Sequence, residues 1–411
     1  MEKQEFLSHL FRTEYQKIVA VLCRLFGLPN IEIAEDIVSE TFLTATEDWK
    51  LNGLPENPKA WLYAVARNKT LNYLKRHALF EQKLAPEIRY SAASSTEIEI
   101  DLSIRNIADS QLAMIFTVCN PVISPESQIS LALNLLCGFS IPEIAAAFLT
   151  NKEVIYKRVI RAKEKLKESN IKIEQPTISQ ISDRLETVLA TLYLLFSEGY
   201  YSTGNDTILR TSLCEEAMRM TFLLIENEAT NHPSVNALYA LMCFHSSRFD
   251  ARTNSFGENI LYEDQDITLW NEALIEKGQY YLNKSSKGKT ISRYHLEAGI
   301  AYWHTVKSEK SGKWQNILNL YDKLMVVDSS PIVALNRAYA LAKVAGKEYA
   351  IYEVEKFNLN SNLFYNSLLG FLFSELDAKK AVAYLEKARS ISNSDADKLL
   401  LSRRISTLKK E

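Results

Sequence analysis

The chain has 411 residues, longer than one ordinary hydrophobic core, so two or three domains are expected. Hydrophobic residues make up 47% and charged residues 24%, normal for a globular protein, and only 12 Gly and 10 Pro favour helices over sheet. A net charge of −2 argues against a protein that holds DNA alone by neutralising phosphates, but not against a DNA reader delivered by a larger basic partner.

The N-terminus carries Glu2, Lys3, Glu5 and His9 and has no apolar core of signal-peptide type. No later run approaches a membrane span, so a cytoplasmic protein without a membrane partner is expected. The cysteines (Cys23, Cys119, Cys137, Cys214 and Cys243) form no Cys-x-x-Cys pair. That offers neither a zinc knuckle nor a redox motif and fits small buried hydrophobes in a reducing compartment.

Tyr15, Ile18, Val19, Leu22, Cys23 and Phe26 recur at helical spacing, and Gly27, Pro29 and Asn30 break that helix. The next stripe is Ala34, Ile37, Val38, Phe42, Ala45 and Trp49, with Glu35, Asp36 and Glu40 off it. Asn57 suits an N-cap and Pro58 a first helical residue, which predicts a third helix running to about Arg76. Residues 81–108 lose periodicity and read as a linker after a first domain, 1–80.

In the second zone, 109–172, two candidate capping boxes lie ten residues apart: Ser140-Ile141-Pro142-Glu143 and Thr150-Asn151-Lys152-Glu153. A short helix, a tight turn and a longer helix make a helix-turn-helix. On the longer helix, Ile155, Val159, Ala162 and Leu166 share one face and should pack on Leu131, Ile144 and Ala145. The other side presents Lys157 and Arg161, with Lys152, Arg158, Lys163, Lys165 and Lys167 extending the basic character. An apolar back and a cationic front are what a helix in the major groove needs.

The third zone, 180–411, is helical and rich in Tyr and Leu. Ala338, Ala350, Gly370, Ala381, Leu385 and Ala388 lie near the small-residue spacing of a tetratricopeptide repeat, with Pro331 after an earlier helix. An irregular helical bundle explains the same residues equally well. The expected fold class is therefore all-α, two small helical domains followed by a larger one.

Ser286-Lys287-Gly288-Lys289-Thr290 has the flavour of a phosphate loop, but Asn283 stands where the earlier Gly is needed and no apolar strand leads in. It reads as a basic inter-helix loop. No hydrolase or metalloprotease signature is present in the sequence, and His232, His245, His295 and His304 read as core or surface residues. The expectation is not an enzyme, with no catalytic residue, cofactor or metal.

The strings Ile144-Ala145, Lys157-Arg158 and Arg161-Ala162-Lys163 resemble the promoter-reading helix-turn-helix of sigma-70-like factors. Ala34-Glu35-Asp36-Ile37-Val38-Ser39-Glu40-Thr41-Phe42 is similar to their core-binding helix. Trp61-Leu62 with Ala66-Arg67-Asn68 is similar to the helix that reads the minus-ten element. Two such regions joined by a linker resemble the compact extracytoplasmic-function (ECF) class. Further strings resemble one ECF group with a long tetratricopeptide-like extension: Asp109-Ser110-Gln111-Leu112, Leu195-Phe196-Ser197-Glu198-Gly199-Tyr200, Asp264-Gln265-Asp266 with Trp270, and Ala334-Leu335-Asn336-Arg337-Ala338.

The resemblance implies an alternative sigma factor whose partners are bacterial core RNA polymerase, promoter DNA and a small YCII/DGPF-type protein. By it, Glu35, Asp36, Glu40 and Phe42 meet polymerase. Asn57, Trp61, Tyr63, Arg67, Asn68, Lys69, Asn72 and Arg76 meet the minus-ten strand, and Lys152, Tyr156, Lys157, Arg158 and Arg161 the minus-thirty-five groove. Trp61 fits a core position as well as a base-stacking one. The group usually has Cys-Cys-His-Pro where Val118-Cys119-Asn120-Pro121 stands, so no metal or redox role carries over, and it often has Asp at the place of Asn72. A repressor with a helical sensor domain is the rival reading; it leaves residues 1–80 without a role.

Overall fold

A computed structural model describes residues 3–84, 100–148, 150–201, 207–252, 260, 262–306, 312–392 and 395–409. Among these the regular structure is all helical. The chain divides into two compact units, Met1–Gly199 and Tyr200–Glu411.

The first unit contains α1 (Lys3–Phe26), α2 (Ile31–Asn52), α3 (Pro58–Leu84), α4 (Ile104–Val118), α5 (Pro125–Leu135), α6 (Ile141–Ala147), α7 (Lys152–Glu168) and most of α8 (Ile178–Tyr201). The expected stripe of α2 is buried from Ala34 to Trp49. α3 begins where Asn57 places it, with the Asn57 side chain accepting from the Ala60 amide at 3.1 Å, but runs past Arg76 to Leu84.

α4 is the centre of this unit. Its residues Ser110 to Val118 are all buried, and it packs on α1. The α1 contact is extended by the Gln16 amide, which donates to the Asn134 carbonyl at 3.3 Å in α5, and by Arg24, which donates to Asn106 at 3.4 Å. Gly138, between α5 and α6, has φ +73, where an L side chain is strained, and a Cβ there would come within 3.2 Å of Gln16. α8 belongs with this unit although its sequence reads with the third zone: the buried Thr191 hydroxyl donates to Gln128 of α5 at 2.9 Å.

The second unit contains α9 (Thr207–Glu226), α10 (Pro233–Ser246), α11 (Phe249–Arg252), α12 (Glu272–Ser285), α13 (Arg293–Thr305), α14 (Lys313–Val327), α15 (Pro331–Ala345), α16 (Lys347–Glu355), α17 (Leu363–Phe373), α18 (Ala378–Ile391) and α19 (Asp395–Leu408). α10 is buried on nearly all sides from Val235 to Phe244 and packs on α9, α12 and α13. From α12 onward each helix packs on the next, so the unit is a succession of stacked helices. Small residues set the closeness of that stack. A Cβ at Gly370 of α17 would lie 2.6 Å from Leu385 of α18, and Ala381 is fully buried in the same contact.

The five cysteines are buried, as their scatter predicts. Burial pushes the thiols of Cys23, Cys119 and Cys243 up to about 12. The Ser286–Thr290 string lies in the loop between α12 and α13, not after a strand.

Candidate nucleic-acid interface

α6 opens with the capping box expected from the sequence. The Ser140 hydroxyl accepts from the Glu143 amide at 3.4 Å, and the Glu143 carboxylate accepts from the Ser140 amide at 2.8 Å. The second box does not form as read. Asn151, not Thr150, caps α7, its side-chain oxygen accepting from the Val154 amide at 3.0 Å. Both residues were available, and Asn is the stronger N-cap, so the helix starts one residue later.

Ile155, Val159, Ala162 and Leu166 of α7 are buried, against α5 and α6. Burying Ile155, Val159 and Leu166 stabilises by ~1.5–3 kcal/mol each, enough to fix which face of α7 turns outward. That face holds Lys152, Tyr156, Lys157 and Arg161, all exposed. Arg158, expected in the minus-thirty-five groove, is half-buried and donates to Ser130 of α5 at 3.5 Å.

On α3, Arg67, Asn68, Asn72 and Arg76 are exposed. Asn68, Asn72 and Arg76 recur every four residues and form one stripe of amide and guanidinium groups. The aromatic members are held differently. Trp61 is half-buried and meets Trp49 edge-on, ring centroids 5.3 Å apart. The Tyr63 hydroxyl donates to Glu14 at 2.5 Å.

Glu14 was not singled out in the sequence, yet it is the polar centre of this domain. It is fully buried and receives Lys59 at 2.9 Å and Lys17 at 3.0 Å as well. Burial pushes its carboxyl up, but the hydrogen bonds from Tyr63, Lys59 and Lys17 outweigh that and hold it below its ordinary range. The signal was present: Glu14 falls between Leu10 and Ile18 on the apolar stripe of α1, four residues from each.

Two acids of α2 are already engaged. Glu35 pairs with Lys163 of α7 at 3.5 Å, and Glu40 with Lys69 of α3 at 3.4 Å. Burial pushes the Glu35 carboxyl up, and Lys163 opposes the rise. Asp36 is exposed. Phe42, expected at a polymerase contact, is a core residue: it is 5% exposed and packs on Phe11 and Tyr15 with centroids 5.1 and 5.8 Å away. A side chain that well buried positions its helix and cannot meet a partner without unpacking.

Residues 10–79, which include all of these α2 and α3 positions, match the Sigma-70 region 2 family. Residues 184–286 match a family of unknown function, DUF6596. An uncharacterized protein of Rhizobium meliloti (strain 1021) is 32% identical over 352 residues, covering 84% of this chain and 83% of its own length. The chain belongs to that protein's family. The sigma-70 region 2 match at its N-terminus supports a role in transcription initiation with core RNA polymerase and promoter DNA. No solved structure matches it. The DUF6596 segment runs from α8 into α12 and spans the boundary between the two compact units. Among the described residues no helix is long and apolar enough to cross a membrane, and no group of His, Cys, Asp and Glu is arranged to hold a metal ion.

Proposed function

We propose that the chain is an alternative sigma factor of the extracytoplasmic-function type, regulated through its C-terminal helices. The observation that carries this is the region 2 match over residues 10–79, followed by a capped helix-turn-helix with an exposed cationic face. In this reading Glu35, Asp36 and Glu40 meet the polymerase. Arg67, Asn68, Asn72 and Arg76 hold the opened minus-ten strand by amide and phosphate contacts. Lys152, Tyr156, Lys157 and Arg161 enter the minus-thirty-five major groove. Asn57, Trp61, Tyr63, Lys69, Arg158 and Phe42 then serve chiefly to position those groups.

The net charge of −2 fits this reading, because DNA affinity belongs to the holoenzyme rather than to the free factor. The stacked helices from α12 onward, with Gly370 and Ala381 at a close helix crossing, support a tetratricopeptide-like extension. A small YCII/DGPF-type protein is its proposed partner, and the cytoplasm its proposed place. The test is transcription of fragmented genomic DNA by core polymerase with and without the purified chain. Transcripts starting downstream of one shared bipartite motif, and only with the chain present, support a sigma factor. Tight, specific binding of duplex DNA without polymerase, and no factor-dependent starts, support the repressor instead.

A further inference from the structure

Among the described residues, the second unit buries positive charge that no acid answers. Arg248, between α10 and α11, is 8% exposed, and Lys313, the first residue of α14, is 6% exposed. A buried cation without an anionic partner costs several kcal/mol. The Lys313 ammonium meets only neutral oxygens, the Tyr262 hydroxyl at 3.0 Å and the Val306 carbonyl at 2.9 Å. The Arg248 guanidinium lies 5.4 Å from the centroid of the same Tyr262 ring, and its buried Nε has no hydrogen-bond partner. Among the described residues no carboxylate pairs with either cation.

Two more orphaned nitrogens surround Tyr262. The His304 ring is 4.9 Å from it and the Trp270 ring 6.4 Å, centroid to centroid. The buried Nδ1 of His304 and Nε1 of Trp270 both lack hydrogen-bond partners. Buried polar groups are rarely left unpaired, and three such nitrogens about one ring are more than a packing accident explains. The face of Tyr262 compensates Arg248 only in part, since a desolvated cation–π contact contributes ~2 kcal/mol. Burial, with Arg248 and Lys313 beside it, pushes His304 down to about 3, so the imidazole is neutral and adds no counter-charge.

We propose that Arg248, Lys313, His304 and Trp270, gathered round Tyr262, form a binding site for a small oxyanion, the phosphate or carboxylate group of a low-molecular-weight ligand. Arg248 supplies a planar guanidinium suited to two oxygens of such a group, Lys313 a point charge, and Trp270 a neutral donor. The site lies in the second unit and does not depend on the transcription reading.

The test is thermal unfolding of the full chain with millimolar inorganic phosphate or citrate, against chloride at equal ionic strength. Phosphate, citrate or both are expected to raise the melting temperature by several degrees. Response to phosphate alone assigns a phosphoryl ligand, and to citrate alone a carboxylate. Arg248→Met should abolish the response and, in anion-free buffer, melt no lower than the parent, because an uncompensated charge has gone. Arg248→Lys, which keeps the charge but loses the planar fork, should fold and bind at least tenfold more weakly. The proposal is overturned by a parent response no larger than that to chloride, by a response that survives in Arg248→Met, or by an Arg248→Met protein that melts far below the parent in anion-free buffer.

Discussion

Lys163 of α7 reaches across to Glu35 of α2, with nitrogen and oxygen 3.5 Å apart. The pair joins the helix proposed to read the minus-thirty-five element to the helix proposed to meet polymerase. Neither side chain is fully exposed, with 24% and 30% of their surfaces open. In the free chain, therefore, each occupies the other.

Replacing Lys163 tests that occupancy. Lys163→Met leaves Glu35 partly buried with Glu32 and Asp36 as neighbours. Loss of the pair should cost ~0.2–1 kcal/mol at neutral pH. The Glu35 carboxyl sits above its ordinary 4.5, so the folded state holds more protons than the unfolded one in the window above that value. Stability from this group therefore falls as pH rises through the window, and falls further in Lys163→Met. Urea denaturation from pH 4 to 8 reads the difference; equal loss at both ends would remove the pair from the account. Core polymerase should bind the variant more tightly, since no internal cation competes for Glu35.

Tyr63→Phe separates a structural tyrosine from a base-stacking one. It removes a hydrogen bond to a buried carboxylate, a loss of ~1.5–3 kcal/mol. Glu14 is held below its ordinary range, so its contribution is present above pH 4.5 and disappears as pH falls through its folded value. Without Tyr63 that value rises, and acid unfolding should begin at higher pH. Promoter opening below the melting temperature should be little changed; a large loss of opening in a fully folded variant would return Tyr63 to the DNA.

Lys157→Ala and Arg161→Ala should behave in the opposite way. Both residues are exposed, so stability should stay within ~0.5 kcal/mol of the parent. Holoenzyme binding to the promoter should weaken, and for each lost phosphate contact the slope of log affinity against log salt should fall by about 1. Salt titrations of promoter binding check it, and an unchanged slope for both would place α7 away from DNA.

Gly370→Ala forces a methyl against Leu385, whose Cδ2 is 2.6 Å from the added carbon. Overpacking of this kind costs ~1–3 kcal/mol. The expected result is a lower melting temperature for the transition of the second unit, read by calorimetry. Gly370→Ala with Leu385→Val should recover part of it.

Much of the first unit was legible because its signals are local. The α2 stripe, the Asn57 start of α3 and the Ser140 box each depend on residues within a few positions of one another. What was not legible depends on tertiary choice. Phe42 reads equally as a stripe residue and as part of a binding string, and its partner Phe11 lies thirty-one positions away. Arg248, Tyr262, Trp270, His304 and Lys313 come from separate stretches of the second unit that share no periodicity. Sequence spacing carries no trace of their meeting.

The buried thiols give the protein a clock. Thiolates, not thiols, react with alkylating reagents, and burial keeps the reagent away. Cys23, Cys119 and Cys137 lie in one unit and Cys214 and Cys243 in the other. The rate at which each is modified in a timed pulse therefore reports how often its own surroundings open. Five natural residues can thus follow the breathing of the two units separately, with no label introduced.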